Sequence, residues 1–163
     1  MATDFVPQFK PEEIYISPFK GVRYYEGSTA KPRYRPVERN MSPTGVHLLD
    51  EFLRIVCTSG NYTQRSLELR LGGDIRDFSA MCRLLTGLSF SELHDAMRLR
   101  LADDLLRYTD FEVKKIAKLC GFGNYSAMFK LFERTYKYAP GVRRWKIRNS
   151  GDVGAKVLEI PTN

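Results

Sequence analysis

From Val46 onward the apolar positions recur at helical spacing, and short polar or glycine-rich breaks cut that pattern into helices. Leu48, Leu49, Phe52, Leu53, Ile55 and Val56 mark a first helix that ends near Ser59-Gly60. Thr63 then has the character of an N-cap for a short helix through Ser66, Leu67 and Leu71, closed by Gly72-Gly73. Asp74 caps the next helix, which runs to about Thr86 and stops at Gly87. The succession of helix, tight glycine turn and helix is a candidate helix-turn-helix.

Ser89-Phe90-Ser91-Glu92 is a capping-box pattern, so a longer helix is expected from Ser89 to about Tyr108. Phe90, Leu93, Met97, Leu101 and Leu105 form one apolar stripe along it, and Ala96, Leu99, Ala102 and Leu106 form a second beside the first. Apolar surface on more than one face is expected of a helix that packs on two bodies at once. Thr109 or Asp110 is positioned to cap a short helix from Glu112 to Cys120, with Gly121 at its end. Asn124 opens a helix to about Tyr136, in which Met128, Leu131, Phe132 and Thr135 repeat at i, i+3, i+4 and i+7. That pair is a second candidate helix-turn-helix. Pro140 begins a last short helix through Val142, Trp145 and Ile147, with Trp145 read as core rather than as a stacking platform.

The first 45 residues differ in texture, because they hold six of the eight prolines and so exclude a long helix. Ile14, Ile16, Phe19, Val22, Tyr24, Tyr25 and Tyr34 carry too much apolar surface for a solvated tail. The expected organisation is an N-terminal arm over 1–45, irregular or of short strands, a helical domain over 46–148, and a tail over 149–163. The fold class is all-α: two helix-turn-helix subdomains joined by a long connecting helix, preceded by the proline- and aromatic-rich arm.

A chain of 163 residues with 43% hydrophobic content supports one core-forming domain and modest extensions. No stretch approaches the roughly 20 apolar residues of a membrane span, and the N-terminus lacks a basic segment followed by an apolar run, so a cytoplasmic protein is expected. Cys57, Cys82 and Cys120 lie within apolar helical patterns and read as core filler. His47 and His94 are isolated in sequence from each other and from the cysteines, so no metal site is implied. The net charge of +7 suggests a polyanionic partner, and its distribution says more than its total. Residues 1–45 hold seven Lys/Arg against five Asp/Glu, residues 46–109 eight against nine, and residues 110–163 eleven against five, giving +2, −1 and +6.

The run Ile116-Ala117-Lys118-Leu119-Cys120-Gly121-Phe122-Gly123-Asn124-Tyr125-Ser126-Ala127-Met128-Phe129-Lys130-Leu131-Phe132, followed by Ala139-Pro140 and Arg144, resembles the signature half of the AraC/XylS family of bacterial transcription regulators. The first unit is similar too, through Leu67, Gly72, the turn Thr86-Gly87-Leu88-Ser89, and Arg98, Leu99, Ala102 and Leu106. The resemblance covers about residues 46–148. Its recurring residues have physical reasons. Ala117 is small where two helices cross, Gly121 makes the turn, and Phe122 plugs the space between them. A connecting helix of about 20 residues would span roughly 30 Å, near the 34 Å of one DNA turn, so one monomer could read about two half-sites.

The resemblance implies base reading by the outward face of each second helix: Arg76, Ser79, Ala80 and Arg83 in the first unit, and Tyr125, Ser126, Phe129 and Lys130 in the second. Arg76 and Lys130 offer the donors suited to guanine edges, and Ser126 suits a base or a phosphate. Tyr125 and Phe129 suit thymine methyls or, alternatively, a protein-binding face. Arg143, Arg144, Lys146 and Arg148 on the last helix are placed for phosphate contact or for a surface salt bridge. Ser79 and Ala80 are short where the family often has longer polar residues, Gly123 replaces a frequent polar residue, Glu133 stands where Lys is common, and Lys137 replaces a glycine.

The implied function is a sequence-specific double-stranded DNA-binding transcription regulator, with RNA polymerase or another regulator as a further partner. An enzyme is not expected, since there is no phosphate-cradling glycine motif, no clustered metal ligands, no pairing of nucleophile with base, and hence no catalytic residue or cofactor to name. The alternative is a protein-interaction adaptor that keeps the fold with weak or no specific DNA binding. The arm is too short for the β-rich sensor domain many family members append, so no small-molecule effector is implied.

Overall fold

A computed structural model describes residues 6–18, 22–25, 33–36, 40–58 and 60–149. Residues 1–5 of the expected arm, with Phe19, and 150–163 of the expected tail lie outside the described residues. The arm carries a one-turn helix α1 (Pro11–Ile14) and an antiparallel hairpin of β1 (Val22–Tyr25) and β2 (Arg33–Pro36), in which Arg23 pairs with Arg35 and Tyr24 with Tyr34. Seven further helices follow: α2 (His47–Thr58), α3 (Gln64–Leu71), α4 (Ile75–Thr86), α5 (Phe90–Tyr108), α6 (Val113–Leu119), α7 (Tyr125–Tyr136) and α8 (Pro140–Asn149).

The caps that delimit these helices are the ones the sequence offers. Thr63 accepts the Ser66 amide, Asp74 the Arg76 amide, Ser89 the Glu92 amide and Asn124 the Ala127 amide, each through a side-chain oxygen. At α6 the expectation fails. Its N-cap is Glu112, which makes no side-chain cap bond; Thr109 is fully buried, and its hydroxyl donates back to the Leu105 carbonyl at 2.6 Å and accepts the Phe111 amide at 3.3 Å. Thr109 therefore finishes α5 instead of starting α6, and Asp110 takes Arg148 at 2.8 Å.

Two apolar cores form at the two ends of α5. Leu49, Phe52, Leu53, Val56, Leu67, Phe78 and Cys82 close around Phe90, Leu93 and Met97 of its first half. Ile116, Ala117, Phe122, Met128, Phe132 and Ile147 close around Leu101, Ala102, Leu105 and Leu106 of its second half. The helix does serve two bodies, divided by its two halves and not by its two stripes, since Leu101 and Leu105 continue the row of Phe90, Leu93 and Met97 into the second core. All three cysteines are unpaired and buried, and burial pushes the thiols of Cys57 and Cys82 up to about 12, consistent with packing residues.

The arm is part of the first core. Ile14 and Ile16 are buried in it, the Phe9 amide donates to the Leu85 carbonyl at 2.9 Å, and the Tyr15 and Ser17 hydroxyls donate to Asp104 of α5 at 2.8 and 2.6 Å. Desolvation raises the Asp104 carboxyl above the ordinary range, partly opposed by those two hydrogen bonds.

Trp145 corrects the reading of α8. Its side chain is 65% exposed, and Val142 one turn earlier is 43% exposed. The face of α8 that meets α5 runs through Pro140, Arg143, Arg144, Ile147 and Arg148, so the arginines turn inward and the tryptophan outward.

Candidate nucleic-acid interface

Each second helix of a unit, α4 and α7, sets one apolar row into its core and leaves the opposite row in solvent. On α4 the buried row is Phe78, Cys82 and Thr86, which leaves Arg76, Ala80, Arg83 and Leu84 exposed at i, i+4, i+7 and i+8. Ser79 sits at the edge of that row. It is half-buried, and its hydroxyl oxygen accepts the Phe90 amide at 3.0 Å, joining the first half of α4 to the start of α5. Arg76 is 87% exposed and folds back on its own cap, with Nη2 2.8 Å from Asp74 Oδ2. That guanidinium holds the Asp74 carboxyl below the usual carboxylate range.

On α7 the buried row is Met128, Leu131 and Phe132, and the outward row carries Ser126, Phe129 and Lys130. Tyr125 is half-buried against the second core, with its ring centroid 6.0 Å from that of Phe129. The aromatic pair and Lys130 therefore share one end of an exposed helix face. Lys137 ends α7 in the left-handed region at φ 66, the position where the sequence lacks a glycine, and its Nζ donates to the Arg134 carbonyl at 3.1 Å.

The four cations expected at phosphates divide. Arg143 donates from Nε and Nη2 to the two oxygens of Asp103, at 3.0 and 2.9 Å, and its guanidinium lies 4.4 Å over the Tyr136 ring. Arg144 donates to the carbonyls of Leu106 and Phe111 at 3.3 and 2.7 Å, and Arg148 to the Thr109 carbonyl at 2.9 Å and to Asp110. These carbonyls belong to the C-terminal turn of α5 and the loop after it, where a helix has unpaired acceptors and partial negative charge. Within the chain, Arg143 is thus engaged in an ion pair, Arg144 in carbonyl hydrogen bonds, and Arg148 in both. Lys146 stays exposed, with its Nζ 5.1 Å over the Tyr138 ring.

Sequence reasoning passed over the acceptors. Asp103 receives Arg143 and also the Tyr136 hydroxyl at 3.0 Å, and the adjacent acidic pair Asp103-Asp104 between apolar positions of α5 is the available signal. Lys114, Lys115, Lys118 and Arg134 are exposed cations near α7. Lys115 lies 3.9 Å over the Phe111 ring, and Arg134 reaches Asp95 at 3.2 Å. Among the described residues no group of three or more His, Cys, Asp or Glu is arranged to hold a metal ion.

Two units of this geometry on one long helix define a double helix-turn-helix domain. Residues 67–144 match a family model described as a helix-turn-helix domain. The HTH-type transcriptional activator RhaS of Salmonella arizonae is 33% identical over 93 residues, which is 57% of this chain and 31% of the relative, and that of Salmonella newport matches to the same extent. The chain therefore spans about a third of the length of these curated relatives. The crystal structure of the DNA-binding domain of AdpA, a global transcriptional factor, in complex with a target DNA, aligns with a TM-score of 0.56 at 24% identity, covering 66% of this chain and 96% of that one. Over residues 67–144 the chain is thus a helix-turn-helix domain, similar to the corresponding parts of these transcription regulators.

Proposed function

We propose that this chain is a sequence-specific regulator that binds double-stranded DNA by setting α4 and α7 into two adjacent major-groove segments. The observation that carries the reading is the pair of exposed rows on α4 and α7, held at the two ends of one 19-residue helix. At 1.5 Å per residue that helix is roughly 28 Å long, close to the 34 Å between successive major-groove faces.

In this reading Arg76 and Lys130 donate to guanine edges, Arg83, Ser79, Ala80 and Ser126 complete the reading rows, and Tyr125 and Phe129 pack on thymine methyls. Arg76 must exchange Asp74 for a base, which its exposure permits. Lys146 keeps the phosphate role, joined by Lys114, Lys118 and Arg134, while Arg143, Arg144 and Arg148 hold α5 and α8 together. The curated relatives' description as transcriptional activators supports a further contact with RNA polymerase or another regulator. Among the described residues no helix is long and apolar enough to cross a membrane, and the place of action proposed is the cytoplasm.

Selection of bound duplexes from a random pool, followed by titration at two salt concentrations, tests the proposal. The expected result is a two-part sequence whose parts lie about 10 base pairs apart, with Lys130→Ala costing roughly 1–3 kcal/mol on that sequence. Absence of any salt-sensitive duplex binding would overturn it and favour the adaptor, for which the exposed Phe129 would then be the docking group.

A further inference from the structure

The two cores are joined by α5, and a single helix is a compliant link between two bodies. A second link lies off its axis. The loop between α2 and α3 sits against the end of α6 so closely that a Cβ on Gly60 would lie 2.3 Å from the Lys118 carbonyl oxygen and 2.5 Å from that of Leu119. Both obstacles are backbone and cannot rotate away. Two residues on, the Tyr62 ring covers Gly121, where a Cβ would come within 2.5 Å of the Tyr62 hydroxyl and where φ is +78. The seam is therefore made of glycine at both of its tightest points.

The residues around it fix it in place. The Tyr62 hydroxyl shares a 2.7 Å hydrogen bond with His94 Nε2, and His94 lies against the Phe52 and Phe90 rings of the first core. One helical turn further along α5, the Arg98 guanidinium lies 4.4 Å over the Phe122 ring of the second unit and pairs with Asp95, which also takes Arg134 from α7. The first unit is thus tied to both the turn and the second helix of the other unit. A displacement at this seam tilts one unit relative to the other about α5.

We infer that the seam of Gly60 and Tyr62 against Lys118, Leu119 and Gly121 sets the separation of α4 and α7, and so determines which spacing between two half-sites the chain accepts. This rests on the DNA-binding reading for its consequence, though not for its geometry. Gly60 is a positioning residue that touches no base. Relieving the Gly60→Ala clash requires opening the seam by about 1 Å, the difference between 2.3 Å and ordinary contact at 3.4 Å. One added base pair shifts a half-site by about 3.4 Å and turns it by roughly a tenth of the helix, so a rigid protein should discriminate sharply between adjacent spacings.

The test uses the full chain and a set of duplexes carrying the selected half-sites at the preferred spacing and at one base pair more or less. Wild type should favour the preferred spacing by about tenfold or more, and Gly60→Ala, while keeping the same half-site sequences, should reduce that ratio to about threefold or less or move its optimum. An unchanged ratio in folded Gly60→Ala overturns the inference. Should that variant fail to fold, Tyr62→Ala loosens the seam without a clash and is held to the same ratio. A DNA-free readout separates the two readings: spin labels at exposed Leu69 and Glu133 should give one narrow distance in wild type and a shifted or broader one in the variant. If wild type binds no duplex, the DNA-binding reading fails while this distance still decides the seam. Identical distance distributions overturn the seam whatever the DNA result.

Discussion

Replacing Arg143 by Met separates two roles that charge alone cannot distinguish. The guanidinium donates twice to Asp103, at 3.0 and 2.9 Å, and the two side chains are 25% and 21% exposed. An exposed pair would contribute about 0–1 kcal/mol, and breaking a fully buried one costs about 3–5 kcal/mol. This pair lies between, and the lost contact over the Tyr136 ring adds about 0.5–1 kcal/mol. Methionine keeps much of the stem packing but leaves Asp103 with the Tyr136 hydroxyl and no cation. The expected loss is about 2–3 kcal/mol, read by urea unfolding, with the midpoint moved and the slope unchanged. Duplex titration across salt concentrations should show an unaltered log-log slope for Arg143→Met, whereas Lys146→Ala should lower that slope by about 0.9 with stability within about 0.5 kcal/mol. A stability loss below about 0.5 kcal/mol for Arg143→Met, together with a slope lower by about 0.9, would refute the assignment and return Arg143 to the phosphate backbone.

Two further expectations concern the first core. Burial and the nearby Arg98 push the His94 imidazole down to about 3 from an ordinary 6.5. The unfolded chain therefore takes up a proton that the folded chain refuses between those values. The stabilisation is fully present above pH 6.5 and is lost as pH falls toward 3, at up to about 1.4 kcal/mol per pH unit, so His94→Gln should flatten the acid limb of a stability–pH curve between about pH 6 and 4; an equally steep limb in that variant would argue against it. Ile14 is 1% exposed within the first core, so Ile14→Ala should cost about 2–4 kcal/mol in urea unfolding, and a loss under about 0.5 kcal/mol would show that the arm is only laid on the surface.

How much of this was legible beforehand depended on whether the signal was local. Thr63, Asp74, Ser89 and Asn124 were readable as caps because a cap is decided within three or four residues of chain. The double apolar stripe of α5 was readable because its period is local too. The phase of α8 was not. Val142 and Trp145 looked like its inward row, but α5 ends beneath α8 with unpaired carbonyls and Asp103, and that polar partner selected the arginine face instead. Thr109 was misjudged for a related reason. A threonine between two helices can finish one or begin the other, and burial of its hydroxyl against Leu105 decided for the first. The exposed rows on α4 and α7 follow from helical phase, whereas the base-reading role proposed for them depends on the chemistry of a partner.

The same non-local logic changes what the basic C-terminal third means. Ten cations between Lys114 and Arg148 suggest a uniform phosphate-seeking surface, but a cation's reach is set by what its helix packs on. Asp103 and Asp104 stand side by side on α5 and point to different bodies. Asp103 gathers Tyr136 and Arg143 from α7 and α8, and Asp104 gathers Tyr15 and Ser17 from the arm. With Arg144 and Arg148 on the carbonyls at its end, α5 becomes the element to which arm, second unit and last helix are all fastened by polar bonds, over and above the two apolar cores. Part of the positive charge is thereby engaged in holding α8 to α5. The exposed cations that remain lie toward α6 and α7, next to the exposed row of the second unit, while the first unit presents Arg76 and Arg83 with Asp74 and Asp77 between and beside them. Under the proposed DNA-binding function, this asymmetry would give the second unit, through its surface lysines, the stronger phosphate attraction, with the first unit following in the next groove.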